Sequence, residues 1–139
     1  HAALPISHCA GDMAGLGCAM DFTYPDSLPV EAIGSLDAAV TVCDRDLKLV
    51  WMNAKAMASF GLEGGPLPTG MDLRSCHKPE STAKMEEILG TGLPNVYTIR
   101  KKGRKKMIWQ APWIKDGAAA GLVEISIILP DAMPHFDRD

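Results

Sequence analysis

Ser75-Cys76-His77-Lys78-Pro79-Glu80 leads into a short helix, and three strand-like segments follow it at 95–101, 105–114 and 121–129. The joints between those strands, Lys102-Gly103-Arg104 and Lys115-Asp116-Gly117, carry turn chemistry. Pro79 suits a first helical position, where its missing N–H would go unpaired anyway, and Glu80 suits the positive end of the helix dipole. Ser81, Thr82, Met85, Ile88 and Leu89 recur at helical spacing, and Gly90 and Gly92 end the run. A helix followed by an antiparallel meander is one half of a small α+β domain.

Working upstream, residues 39–43 alternate β-branched and small side chains, and 47–52 are equally strand-like. Asp44-Arg45-Asp46 joins them, short and polar as a tight hairpin requires. Asn53 then caps a helix whose inward face is assigned to Ala54, Met57, Ala58 and Phe60, with Gly61 as its stop. The Gly- and Pro-rich residues 61–70 read as a loop, with a short turn at 71–75. A helical turn over 30–36 precedes the first strand, with Asp26 or Ser27 near its cap. Residues 1–26, with Met13, Met20 and Phe22, read as an arm or helix and a candidate dimer contact. Residues 27–130 form the domain proper and 131–139 a tail. The element order predicts a five-stranded antiparallel sheet with helices covering one face.

Composition narrows the class. A chain of 139 residues with 47% hydrophobic and 22% charged residues fits one soluble globular domain. No run reaches the roughly 18 apolar residues of a membrane span. A formal net charge of −3 argues against a general nucleic-acid binder. The four cysteines, Cys9, Cys18, Cys43 and Cys76, form no Cys-x-x-Cys pair, which points to reduced thiols in the cytoplasm. The start, His1-Ala2-Ala3-Leu4-Pro5, lacks an initiator Met and a signal pattern, and reads as a processed or excised piece.

Residues 42–53, Val-Cys-Asp-Arg-Asp-Leu-Lys-Leu-Val-Trp-Met-Asn, resemble the opening hairpin of the PAS domain family, ending in the Asn that starts the next helix. Gly121-Leu122-Val123-Glu124-Ile125-Ser126 resembles its closing strand, and 72–81 is similar to a bacterial PAS subfamily with a Cys-His-x-Pro-type helix entry. The likeness covers about residues 27–130. It implies a sensor or interaction module rather than an enzyme, which binds a small ligand between sheet and helices or forms a homodimer, and passes a signal to a tethered effector. The ligand itself is not implied, because function resides in the site grafted on the scaffold. Val42, Met57, Met85, Ile99, Trp109 and Ile125 are candidate pocket walls, with Cys76 and His77 at the rim. The same apolar residues serve equally well as plain core.

The cofactor stays open, and several chemistries are disfavoured. Covalent haem needs Cys-x-x-Cys-His, and the helix at 79–89 offers no axial His. Flavin photochemistry of the light-sensing branch needs a Cys where Leu73 stands, three residues before Cys76. His8, Cys9 and Cys18 are one ligand short of a closed zinc site. No Gly-x-Ser-x-Gly, Walker loop or His-Glu-x-x-His occurs. Neighbours such as Cys76 and His77 are expected to diverge in space rather than form a catalytic dyad. A thiol-based redox sensor on Cys76 is kept as an alternative, since a helix N-terminus, Arg74 and Lys78 would lower its pKa. A ligand-free interaction scaffold is the other.

The basic run 100–106 reads as a solvated hairpin tip that guards the sheet edge, because aromatics for base stacking are not interleaved in it. Trp109 and Trp113 share one strand face by spacing, with Tyr97 a candidate third member, and Pro112 between them signals an edge or bulge.

Overall fold

Asn53 organises the N-terminal half. The computed structural model describes residues 28–139, so the arm at 1–26, its Met13, Met20 and Phe22, and the His8, Cys9 and Cys18 group lie outside the described residues. A short α1 (Leu28–Gly34) leads to β1 (Ala39–Asp44) and β2 (Leu49–Met52). Asn53 follows directly and is 2% exposed. Its Oδ1 accepts from the N–H groups of Val40 and Ala56, both at 3.0 Å. Its Nδ2 donates to the carbonyls of Ile33, at 3.0 Å, and Ala38, at 2.8 Å. The helix cap expected at this residue is present, and the same amide also ties α1 and β1 to α2 (Ala54–Ser59).

Two details of this half differ from expectation. β2 begins at Leu49 because Leu47 takes φ 58° and is fully buried, so the turn runs on to Lys48. The Asp44 carboxylate holds that turn by accepting from the N–H groups of Asp46 and Lys48, each at 2.9 Å. In α2 the buried residue is Ala56, while Ala54 and Phe60 are exposed. The six-residue helix, clamped at its cap, buries Ala56, and Phe60 stands just beyond it as the C-cap residue.

After a 3₁₀ turn at Leu73–Ser75, α3 (Pro79–Thr91) starts with Pro at its first turn and ends at Gly92, φ 71°, so Gly90 lies inside it. Met85 and Ile88 are its buried face. β3 (Asn95–Lys101), β4 (Arg104–Lys115) and β5 (Ala118–Ile128) complete the chain. Both turns between them have positive φ at two central residues, Lys102 with Gly103 and Asp116 with Gly117. This is the hairpin geometry whose twist matches the flanking strands.

The sheet is five-stranded and wholly antiparallel, in the order β2-β1-β5-β4-β3. Its register puts Thr41, Glu124 and Gln110 side by side across β1, β5 and β4, with Asn95 of β3 next in the row. Alternation along the strands therefore gives an inner face with Ala39, Cys43, Leu122, Ser126, Ile108, Tyr97 and Ile99. On the outer face stand Val42, Val123, Ile125, Ile127, Met107, Trp109, Trp113 and Val96. Tyr97 thus faces away from the two tryptophans. Pro112 is tolerated because β4 runs on past the pairing with β3, whose last matched pair is Asn95 with Gln110, and a bulge follows at Trp113/Ile114. The core lies on the inner side, where Cys43, Leu49, Met52 and Leu122 meet Ala56, Leu73, Met85 and Ile88.

Candidate functional site

Beside the core, the inner sheet face holds two neighbouring spaces. The first is a small cavity of about 40 Å³, lined by Thr41, Gln110 and Glu124 of the sheet with Met52, Met71, Met85, Leu73, Phe60 and His77 among the rest. The second is an open groove of about 560 Å³ between α2 and the free end of the β3–β4 hairpin. Thr41, Phe60 and Glu124 line both, so Phe60 and the polar row stand where the two meet. The cavity has room for a water molecule or two. The groove is within the range of about 300–1,000 Å³ typical of small-molecule sites.

The polar row is a satisfied chain across three strands. Asn95 Nδ2 donates to Gln110 Oε1 at 2.9 Å, and Gln110 Nε2 donates to a Glu124 carboxylate oxygen at 2.8 Å. Gln110 is 7% exposed, so its amide depends on these partners. The Tyr97 hydroxyl titrates above its usual range, through burial first and then the Glu124 charge.

Cys76 and His77 come together, against the expectation that they diverge. The 3₁₀ turn brings Cys76 Sγ to 3.3 Å from His77 Nδ1, and both groups point at the Leu73 carbonyl, at 3.4 and 2.8 Å. A carbonyl can only accept, so Nδ1 carries the proton and cannot take one from the thiol. The thiol itself is pushed up, by burial and then by the Asp72 charge, rather than activated. Arg74 does not help, because its guanidinium is held by the Asp46 carbonyl at 2.8 Å and by Asp72. Asp72 also pairs with Lys48 at 2.8 Å, and the Lys48 hydrogen bond together with the Arg74 N–H holds its carboxyl down at about 2. The geometry is that of a braced helix entry.

Of the residues named from sequence, Met85 and His77 line the cavity and Ile99 lines the groove. Met57 packs at the edge of the core, and the exposed Cys76 faces neither space. Val42, Trp109 and Ile125 are corrected: they stand on the outer face, and Trp109 is 43% exposed there. Strand parity decides this, since their neighbours Cys43, Ile108 and Glu124 take the inner side. Sequence reasoning missed Thr41, Phe60, Gln110 and Glu124. The available signal was a Gln and a Glu placed inside otherwise apolar strands. Among the described residues no helix is long and apolar enough to cross a membrane.

No protein-family model matches the chain, and no curated protein matches it in sequence. Solved structures do match in fold. The chain is similar to the PAS domain of a Colwellia psychrerythraea protein, with TM-score 0.58 and 13% identity over 74% of this chain and 95% of that one. It is similar to the PAS domain of the histidine kinase ThkA, with TM-score 0.54 and 21% identity over 66% of this chain and 98% of that one. A phage VqmA–DPO complex matches with TM-score 0.58 and 15% identity over 75% of this chain, which spans 52% of that protein. The architecture is the PAS-like α+β fold.

Proposed function

We propose that this domain is the sensory module of a signalling protein, without catalytic activity of its own, and that it receives a small ligand on the inner face of its sheet. The groove of about 560 Å³, continuous with the polar row at Thr41 and Glu124, is the observation that carries this. Likeness to the PAS domain of a histidine kinase supports the signalling role, and the VqmA neighbour is seen as a complex with DPO. Phe60 stands at the inner end of the groove. It borders groove and cavity alike, and His77 at the α3 entry lines that same cavity. The free thiols of Cys43 and Cys76 suit a reducing compartment and support a cytoplasmic location.

A thermal-shift screen on the wild type and on Ser126→Trp, which puts an indole into the groove, tests this. Compounds are expected to stabilise the wild type and not the variant. Compounds that stabilise both equally would overturn it.

A second reading is favoured by the outer face, where Trp109 is 43% and Val96 47% exposed, and by α1, where Val30 is 61% exposed. Apolar surface of this kind fits a homodimer contact. Light scattering on the full chain checks it, with Trp109→Lys expected to lower the mass from dimer to monomer.

A further inference from the structure

The basic run at 100–106 is not simply a solvated tip. Register pairs Lys101 with Arg104 and Ile99 with Lys106, and these four belong to the inner face, whereas Arg100 and Lys105 point outward. Lys101, Lys102, Arg104 and Lys106 all line the groove. Among the described residues none of the four makes an ion pair. Four like charges on one wall repel one another and raise the local potential, which an anion relieves. Apolar surface adjoins the cations: Ile99 and Ile128, the latter 40% exposed, flank Lys106 on the same sheet face with Ile108 beyond it, and Phe60, 49% exposed, borders the groove from the end of α2. At the inner end stands Glu124, the one carboxylate of the lining, with Gln110 donating to it.

We propose that the ligand of this groove is a small amphiphilic anion, with one carboxylate or phosphate group at the hairpin tip and an apolar body laid on Phe60, Ile99 and Ile108. This rests on the groove being the ligand site. Glu124 sets the polarity of the fit, because a second negative group at the far end of the ligand would meet its carboxylate. A single charged end is therefore selected over a dicarboxylate of similar length. The cations give the direction of entry and the apolar surface beside them gives the affinity.

Calorimetric titration of the intact chain with decanoate, decanol and decylammonium tests the charge, since the three share one apolar body. Decanoate is expected to bind, decanol at least about tenfold more weakly, and decylammonium not detectably. The triple variant Lys101→Gln/Arg104→Gln/Lys106→Gln should weaken decanoate on the order of tenfold, as three exposed charge contacts warrant, and leave decanol unchanged. Those positions are exposed or half-exposed strand residues, so the fold is expected to survive, and circular dichroism checks it. Decanoate and decanol binding equally, both blocked by Ser126→Trp, would overturn the anion and leave the groove standing. Decanoate binding that Ser126→Trp does not disturb would place it on the tip alone and overturn the proposal. No binding of decanoate, with neutral compounds still stabilising the wild type in the thermal-shift screen, would overturn the anion only.

Discussion

Replacing Asn53 should cost more than any other single polar substitution in this domain, because one side chain serves four backbone groups. Asn53→Ala removes the cap on α2, worth about 0.5–2 kcal/mol. It also strands the Val40 N–H. The Val40 carbonyl accepts from the Asn53 N–H, so the Val40 donor points the same way and finds no other partner there. Val40 is 3% exposed, so water cannot replace the bond, and an orphaned buried donor costs about 1–3 kcal/mol. The Ala38 carbonyl, in a residue 5% exposed, loses its Asn53 partner as well, whereas the Ile33 carbonyl sits in an exposed residue and can rehydrate. Together these come to about 4 kcal/mol, a large share of a stability of about 5–15 kcal/mol, and lower the melting temperature by about 15 °C.

Asn53→Asp separates the cap from the donors. The carboxylate still accepts from Val40 and Ala56 but turns acceptor lone pairs on the carbonyls of Ile33 and Ala38. It should be destabilised about as much as Asn53→Ala at neutral pH. The charge is disfavoured in the folded state, so the deficit should shrink as the pH falls and the carboxyl gains a proton to donate. Chemical denaturation of both variants, followed by circular dichroism between about pH 4 and 7, measures this. A loss under about 1 kcal/mol for Asn53→Ala, or an Asn53→Asp as stable as the wild type, would refute the reasoning.

Other outcomes follow from the same contacts. In Gly121→Ala the new methyl would overlap the Cys43 carbonyl oxygen and come to 2.6 Å from Trp113 Nε1, breaking the 2.9 Å bond from that indole to Cys43, so denaturation should show a loss of about 2–4 kcal/mol. Asp72 is held down at about 2 from 3.8, so its contribution is complete above about pH 4 and fades as the pH falls toward 2; the stability gap between wild type and Asp72→Asn should close over that window in acid titration. Glu124→Leu leaves the buried Gln110 amide without its acceptor and should cost about 1–3 kcal/mol, part of which Gln110→Leu/Glu124→Leu recovers in a double-mutant cycle.

Much of the fold was legible because local chemistry dictated it. Lys102-Gly103 and Asp116-Gly117 accept positive φ, Pro79 starts a helix and Asn53 caps one, and each does so here. The site was far less legible, since the strands are apolar on both faces. Val42, Ile125 and Trp109 look no less buried in sequence than Cys43, Leu122 and Ile108, and periodicity alone could not say which row turns inward. The inner row becomes visible only when pairing aligns Thr41, Glu124 and Gln110, three polar residues from three strands. The meeting of Cys76 with His77 was hidden for a different reason: it depends on a 3₁₀ turn that aims two successive side chains at the Leu73 carbonyl.

The claim that the inner face receives the signal is tested most directly by isotope-labelled isoleucine methyl NMR with the most stabilising compound from the thermal-shift screen. Intermolecular contacts should appear at the methyls of Ile99, Ile108 and Ile128, which line the groove. Contacts confined to Ile125 and Ile127, on the outer face, would contradict the account.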